Sequence, residues 1–76
     1  MSLKQTILSV TRRTKNGFTV GEIFDRVESK LGIFNSPLYS TVRARVYELA
    51  RSGELLAKGV RKDPASNFNA TTFARN

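Results

Sequence analysis

The feature that most constrains the fold is a change of apolar spacing at Gly53. Before it, apolar residues recur every three or four positions in three separate runs, which is the spacing of one helix face. After it the helical spacing disappears, and a segment rich in aromatic and β-branched residues follows the turn-forming stretch 63–66. We therefore predict three helices followed by a β-hairpin, in a single domain spanning residues 1–76.

Capping signals bound the first two predicted helices. The first is predicted over residues 3–14, with Ser2 as its N-cap and Gly17 as the positive-φ residue of its stop signal. Phe18 is predicted to form a very short extended segment, and the second helix is predicted to begin near Val20. Apolar residues three and four positions apart predict the buried face of that helix: Val20, Ile23, Phe24, Val27 and Leu31.

The start of the second helix has the spacing of a capping box. The Thr19 hydroxyl can accept from the Glu22 N–H while the Glu22 carboxylate reaches back to the Thr19 N–H. Three acids, Glu22, Asp25 and Glu28, are predicted to lie mostly off the apolar face, with the spacing of a solvated surface. Gly32 is predicted to end this helix.

The third helix is predicted over residues 36–51. Ser36 is predicted to cap it, because serine is a favoured N-cap residue. Pro37 is then the first helical residue, where proline loses no needed N–H. The connection before it carries Ile33 and Phe34, which are predicted to fold back into the core rather than to form a binding patch. Four apolar residues predict its core face: Leu38, Val42, Val46 and Leu49.

The remainder of the chain predicts a hairpin. One strand is predicted near residues 55–61, a loop at 62–67 and a return strand near 68–73. The last three residues, 74–76, are predicted to be frayed.

The charge of the chain is strongly positive and unevenly distributed. Thirteen Lys and Arg against six Asp and Glu give a net charge of +7. The acids named above share the second helix, whereas the bases group elsewhere: Arg12, Arg13 and Lys15; Arg43, Arg45 and Arg51; Lys58, Arg61 and Lys62. A segregated basic surface predicts a polyanionic partner such as DNA, RNA or an anionic membrane, with an ordinary solvated surface as the alternative.

Several classes of function are disfavoured by composition. The chain has no cysteine and no histidine, so the commonest metal ligands and the commonest general base are missing. We therefore expect a non-enzymatic protein with no metal and no cofactor. No apolar run approaches the length of a membrane span, and no secretion signal is recognisable, so we expect no membrane partner and a cytoplasmic location.

The order of the predicted elements resembles the winged helix-turn-helix family. The resemblance covers essentially the whole chain and is sharpest over residues 40–55. There, short polar residues are followed by apolar core positions and a leucine. A glycine comes four residues after that leucine and is followed by the apolar start of a strand. The resemblance implies an α+β fold of three helices with a C-terminal β-hairpin wing. It also implies sequence-specific binding of double-stranded DNA, as in transcription regulation by bacterial or phage proteins, with the third helix in the major groove.

The third helix has a polar side opposite its predicted core face, here called the outer face: Ser40, Arg43, Ala44, Tyr47 and Arg51. Ser40 is short enough to allow close approach to base edges, and Thr41 lies on the flank. Arg43 can donate two hydrogen bonds to a guanine, and Ala44 can contact a thymine methyl group. An ordinary solvated helix surface is the alternative.

Phosphate contacts are predicted at both ends of this helix. Tyr47 and Arg51 lie further along it, and the free N–H groups after Ser36 favour an anion at its start. Arg45 lies near the edge of the core face. It can therefore pair with an acid of the second helix, Glu22 or Asp25, or contact DNA.

The hairpin is the second predicted contact. Lys58, Arg61 and Lys62 are predicted to reach the backbone or the minor groove, with Asn67 and Asn69 as hydrogen-bond partners. A charged hairpin that blunts edge pairing is the alternative. Arg12, Arg13 and Lys15 form a weaker third patch, whose alternative role is to complement the end of the first helix. Phe68 and Phe73 are predicted to pack on the helices, with stacking on unpaired bases as the alternative.

A protein-interaction module is the competing function. Winged helices also bind proteins, and here the partner would be an acidic surface of a polymerase, nuclease or other host protein. RNA is a lesser option, since its deep, narrow major groove does not admit a helix. A single module makes few base contacts, so specific binding predicts a second copy of the chain on the DNA.

Overall fold

Helices and an antiparallel sheet form the chain in a computed structural model that describes residues 2–64 and 66–76. Within those residues the fold is α+β, with three helices and one three-stranded antiparallel sheet. The α+β class and the three helices are as predicted, whereas the pairing of β1 with the hairpin was not predicted. The elements in chain order are α1 (Leu3–Val10), β1 (Phe18–Thr19), α2 (Val20–Leu31), α3 (Tyr39–Arg51), β2 (Leu55–Lys62) and β3 (Asn69–Arg75).

The first helix begins as predicted and ends earlier. Ser2 and Gln5 form a reciprocal capping box at its start. The prediction that it continues to residue 14 is wrong, because Thr11 is already extended, with φ −98° and ψ 146°. The Thr11 hydroxyl donates to the Ile7 carbonyl at 3.0 Å, so a buried side chain closes the last turn and the chain leaves the helix there.

The second helix follows its prediction closely. Thr19 N–H donates to Glu22 Oε1 at 2.9 Å, and Glu22 N–H donates to Thr19 Oγ1 at 3.2 Å, which confirms the capping box. Val20, Ile23 and Val27 are buried, and Phe24 and Leu31 are half-buried against the same core.

The connection between α2 and α3 differs from its prediction. Ile33 is 72% exposed and Phe34 is 98% exposed, so neither folds back into the core. Helix α3 begins at Tyr39, and its N-cap is Leu38, which makes no side-chain capping bond. The dihedral angles of Leu38, φ −65° and ψ 149°, place it outside the helical projection, so its side chain misses the core and is 75% exposed.

Ser36 therefore does not cap the third helix. Its hydroxyl donates to the Pro37 carbonyl at 3.4 Å, which is a local contact within the connection. The free N–H groups at the start of α3 lie from Tyr39 onward, so the predicted phosphate contact after Ser36 is displaced along the chain.

The hairpin is confirmed, with shifted ends. Strands β2 and β3 pair from Leu55 opposite Arg75 to Lys62 opposite Asn69, and β3 also pairs with β1, which gives the sheet order β1-β3-β2. The predicted fraying of residues 74–76 is wrong, because Arg75 N–H donates to the Arg12 carbonyl at 3.2 Å and Ala74 is buried. Part of the predicted turn, Ala65, lies outside the described residues.

A β-bulge at Lys58 sets the direction of the hairpin side chains. The pairing register steps from Ala57 opposite Phe73 to Gly59 opposite Thr72, which leaves Lys58 as the extra residue. Because paired residues share a face of the sheet, the bulge places Val60 and Lys62 on the face of Phe73. Arg61 and Gly59 lie on the opposite face, with Thr72.

The core lies between the three helices and one face of the sheet. Its buried members come from α1, α2, α3 and the hairpin: Ile7, Val20, Ile23, Val27, Val42, Val46, Leu49, Leu55 and Phe73. Phe73 thus packs on the helices as predicted. Phe68 does not; it is 76% exposed beside the turn of the hairpin.

Candidate nucleic-acid interface

The outer face of α3 is open to solvent. Ser40, Arg43, Ala44 and Arg51 are exposed, and Tyr47 is at the border of exposure. Thr41, on the flank, is half-buried. The opposite side of the helix supplies three buried residues of the core: Val42, Val46 and Leu49. The amphipathic pattern of the sequence therefore places this face correctly from Ser40 onward.

Two aromatic rings and a guanidinium join this face to the hairpin. The Arg43 guanidinium carbon lies 5.2 Å from the centre of the Tyr47 ring, within cation–π range. The Tyr47 ring meets Phe73 of β3 edge-on, with centroids 5.6 Å apart and an interplanar angle of 88°. Tyr47 is thus held by the sheet, and it supports Arg43 at the surface.

The single acid of α3 is neutralised away from the outer face. Arg45 Nη1 lies 2.8 Å from Glu48 Oε2, and Lys4 Nζ lies 4.0 Å from the same oxygen. The predicted pairing of Arg45 with Glu22 or Asp25 is wrong; the partner is one turn away on the same helix. The outer face is left with two cations, Arg43 and Arg51, and no acid among the residues that define it.

Arg61 holds the hairpin against the start of α2. Its guanidinium is hydrogen-bonded to the Glu22 carboxylate and donates to the Gly17 carbonyl at 3.3 Å. Burial alone would raise the pKa of Glu22. Hydrogen bonds from Thr19 and Arg61 and the charge of Arg61 outweigh that effect and lower the pKa below its ordinary value. The head group predicted to contact phosphate is therefore engaged within the protein.

Asp63, which directly follows β2, acts on the starts of α2 and α3 in a way that the sequence did not indicate. It is buried, and its carboxylate lies so close to Gly21 of α2 that a Cβ there would fall 2.6 Å from Oδ1. Burial and the Asp63 charge raise the pKa of Tyr39, the first residue of α3, against the opposing charge of Arg43. In the sequence, Asp63 before Pro64 has only the pattern of a turn, so no signal for this role was present.

The exposed cations of the hairpin lie on different parts of it. Lys62 shares the face of Phe73, the face that meets α3, whereas Lys58 stands at the bulge. Asn67 is exposed in the turn with a positive φ of 63°, and its N–H donates to the Asp63 carbonyl at 2.7 Å. Of the five predicted hairpin contacts, Lys58, Lys62, Asn67 and Asn69 therefore present exposed side chains, and Arg61 is tied to α2.

A metal site and a membrane-spanning helix were also sought among the described residues. Within 2–64 and 66–76, no three His, Cys, Asp or Glu side chains gather in a way that could hold a metal ion. No helix in that part of the chain has the length and apolar character to span a membrane.

No family model, curated protein or solved structure matches the chain.

Proposed function

We propose that this chain is a winged helix-turn-helix domain that binds double-stranded DNA, with the outer face of α3 in the major groove and the hairpin on the backbone or minor groove. The observation that carries the proposal is the open, acid-free outer face, on which Arg43 and Arg51 are exposed. A helix of 13 residues is about 20 Å long, and the major groove, about 12 Å wide, admits one helix.

Arg43 is the proposed base-reading residue. Cation–π contact with Tyr47, which is itself fixed against Phe73, restricts the Arg43 side chain before any ligand arrives. A restricted guanidinium loses less conformational entropy when it donates its two hydrogen bonds to guanine O6 and N7. Ser40 and Ala44 are small and lie on the same face, so they allow the helix to approach the base edges.

Phosphate contacts are assigned to cations at the border of this surface. Arg51 lies at the end of α3, and Lys62 lies on the hairpin face that meets the helix. Asn67, in the turn, is the proposed hydrogen-bond donor to backbone or minor groove. Arg61 is proposed to position the hairpin through Glu22 rather than to contact DNA.

The biological role that we propose is sequence-specific regulation of transcription, of the bacterial or phage type. One domain makes few base contacts, so two copies on adjacent half-sites would supply the specificity. Selection of bound sites from a random duplex pool tests both points, because an enriched half-site would appear once or as a spaced pair. A pool without enrichment would contradict sequence-specific binding.

Two variants distinguish base reading from phosphate binding. Arg43→Ala should cost about 1–3 kcal/mol on the selected site and relax its sequence at one position. Lys62→Ala should weaken binding to every sequence equally. If Arg43→Ala also acted equally on every duplex, base reading by Arg43 would be wrong.

A protein partner is the second candidate, and one observation favours it. Ile33, Phe34 and Leu38 expose apolar surface at the N-terminal end of α3, and a protein with an acidic, partly apolar surface would match it. Duplex affinity of the wild type separates the candidates, because a negligible affinity would favour a protein partner. If DNA is the ligand, Phe34→Ser should leave a measurable duplex affinity unchanged.

A further inference from the structure

The structure carries a second group of exposed cations, where the chain after α1 passes beside β2 and β3. We call it the second cationic surface: Arg12, Arg13, Lys15, Lys58 and Arg75. None of the five belongs to the outer face of α3. Lys58 is the one that the sequence had grouped with the predicted hairpin contacts.

Two adjoining clefts make these five side chains one surface. Arg13, Lys15, Lys58 and Arg75 line the first cleft, where the chain after α1 passes beside β2. Arg12, Arg13 and Arg75 line the second, so Arg13 and Arg75 are common to both. The hydrogen bond from Arg75 N–H to the Arg12 carbonyl fixes the two segments to each other.

This surface is built from the chain after α1 and the strands β2 and β3, whereas the outer face belongs to α3. Leu56, which lines the first cleft, pairs with Ala74 of β3, so both point to the face opposite that of Phe73. Phe73 is the residue that meets Tyr47 of α3. Arg75, by contrast, pairs with Leu55 and shares the face of Phe73, at the end of the sheet away from the turn. Within the described residues, none of α3 lines either cleft.

The five cations have no acidic partner among the residues that the structure describes. The three ion pairs found there are Lys4–Glu48, Arg45–Glu48 and Arg61–Glu22, and no acidic side chain described in the structure lines either cleft. Glu54 lines a third cleft with Arg13 and Arg75, so it offsets only part of this charge. Like charges that share a cleft repel one another, and an anionic ligand relieves the repulsion. Three of the five are arginines, whose forked donors suit phosphate.

We propose that the second cationic surface binds the backbone of a second DNA segment, so that one chain holds two duplexes. The inference rests on the proposed function for the first duplex. The second contact is made to phosphates and carries no sequence preference, since the surface is built from long cations with no helix to enter a groove.

The experiment uses the full chain with two short duplexes of about one helical turn. One duplex carries a donor fluorophore and the other an acceptor. Wild-type protein should bring them together and give energy transfer, and native mass spectrometry should find one chain with two duplexes. A complex with two chains would assign bridging to a dimer and overturn the inference.

Matched variants assign each duplex to its surface. The triple variant Arg13→Gln, Lys15→Gln, Arg75→Gln should lose energy transfer while its affinity for the first duplex, measured by anisotropy, changes by less than about threefold. The double variant Arg43→Gln, Arg51→Gln should also lose energy transfer, through the other surface. Thermal melts check that both variants fold, and Arg45→Gln, already paired with Glu48, is the control that keeps both duplexes.

The outcomes separate this inference from the proposed function. Wild-type protein that binds one duplex per chain without energy transfer would overturn the second surface and leave the first intact. Retention of energy transfer by the triple variant would also overturn it. Protein that binds neither duplex would contradict the proposed function itself, and the inference with it.

Discussion

The Glu22 carboxylate makes two separate contacts that stabilise the fold. It accepts the N–H of Thr19 to cap α2, and it holds the Arg61 guanidinium of the hairpin. The capping role was predictable from the sequence, because a capping box needs only residues three positions apart. The pairing with Arg61 joins residues 39 positions apart, and no local pattern indicates it.

The charge of Glu22 gives the stability of the protein a defined pH dependence. Because its pKa is lowered by folding, the ionised carboxylate stabilises the fold above the ordinary glutamate pKa, about 4, and this contribution is lost as the pH falls through the folded-state value. We expect Glu22→Gln, which keeps an oxygen for Thr19 but has no charge for Arg61, to lose less thermal stability than wild type between about pH 6 and about pH 3. Thermal melts followed by circular dichroism measure this, and identical pH profiles would show that the ion pair contributes nothing.

Two apolar residues test the burial pattern. Leu49 is fully enclosed in the core, so Leu49→Ala should lower the free energy of unfolding by about 2–5 kcal/mol. Phe34 is almost fully exposed, so Phe34→Ala should change it by less than about 0.5 kcal/mol. Urea denaturation compares the two, and a large loss for Phe34→Ala would mean that its side chain is packed.

Local chemistry explains which residues the sequence placed correctly. The core positions Val42, Val46 and Leu49 follow from helical spacing alone, because they lie inside a helix whose other side is polar. Leu38 has the same spacing and is exposed, since the helix begins one residue after it. A periodic pattern gives the face of a helix but does not give the residue at which it starts.

At the scale of elements, the hairpin is held by two contacts to the first turn of α2. Arg61 bonds to Glu22 near the start of α2, and the Asp63 carboxylate lies against Gly21 in the same turn. The bulge at Lys58 makes this possible, because it turns Arg61 toward α2 while Lys62 takes the face of Phe73. The hairpin itself was predictable from its composition and turn; the bulge was not, since it depends on how β2 meets β3.

The contact between Gly21 and Asp63 can be tested with a double-mutant cycle. Alanine favours a helix over glycine by about 1 kcal/mol, yet Gly21→Ala should destabilise the protein by about 1–3 kcal/mol, because its Cβ would meet the buried Asp63 carboxylate. In an Asp63→Ala background the same substitution should be neutral or stabilising. Urea denaturation of the four proteins measures the coupling, and equal effects of Gly21→Ala in both backgrounds would contradict the contact.

At the scale of the molecule, the exposed cations include two groups built from different elements, one on the outer face of α3 and one on the second cationic surface. The sequence indicated a polyanion partner from charge segregation, and it identified the outer face of α3 from periodicity. It could not group Arg12 with Arg75, because only the end of β3, paired to the chain after α1, brings them together. Surfaces assembled from distant segments depend on the tertiary fold, which no local pattern reports.

Salt dependence of duplex binding tests the central claim most directly. Fluorescence anisotropy of a labelled duplex gives the slope of log affinity against log salt, which is about −0.9 for each phosphate neutralised. We expect a steep slope for the wild type, a slope smaller by about 0.9 for Arg51→Gln on the outer face, and an unchanged slope for Arg45→Gln, whose guanidinium is paired with Glu48 on the same helix. A flat response in the wild type, or equal slopes for all three proteins, would contradict the proposal that the outer face of α3 is where this protein meets DNA.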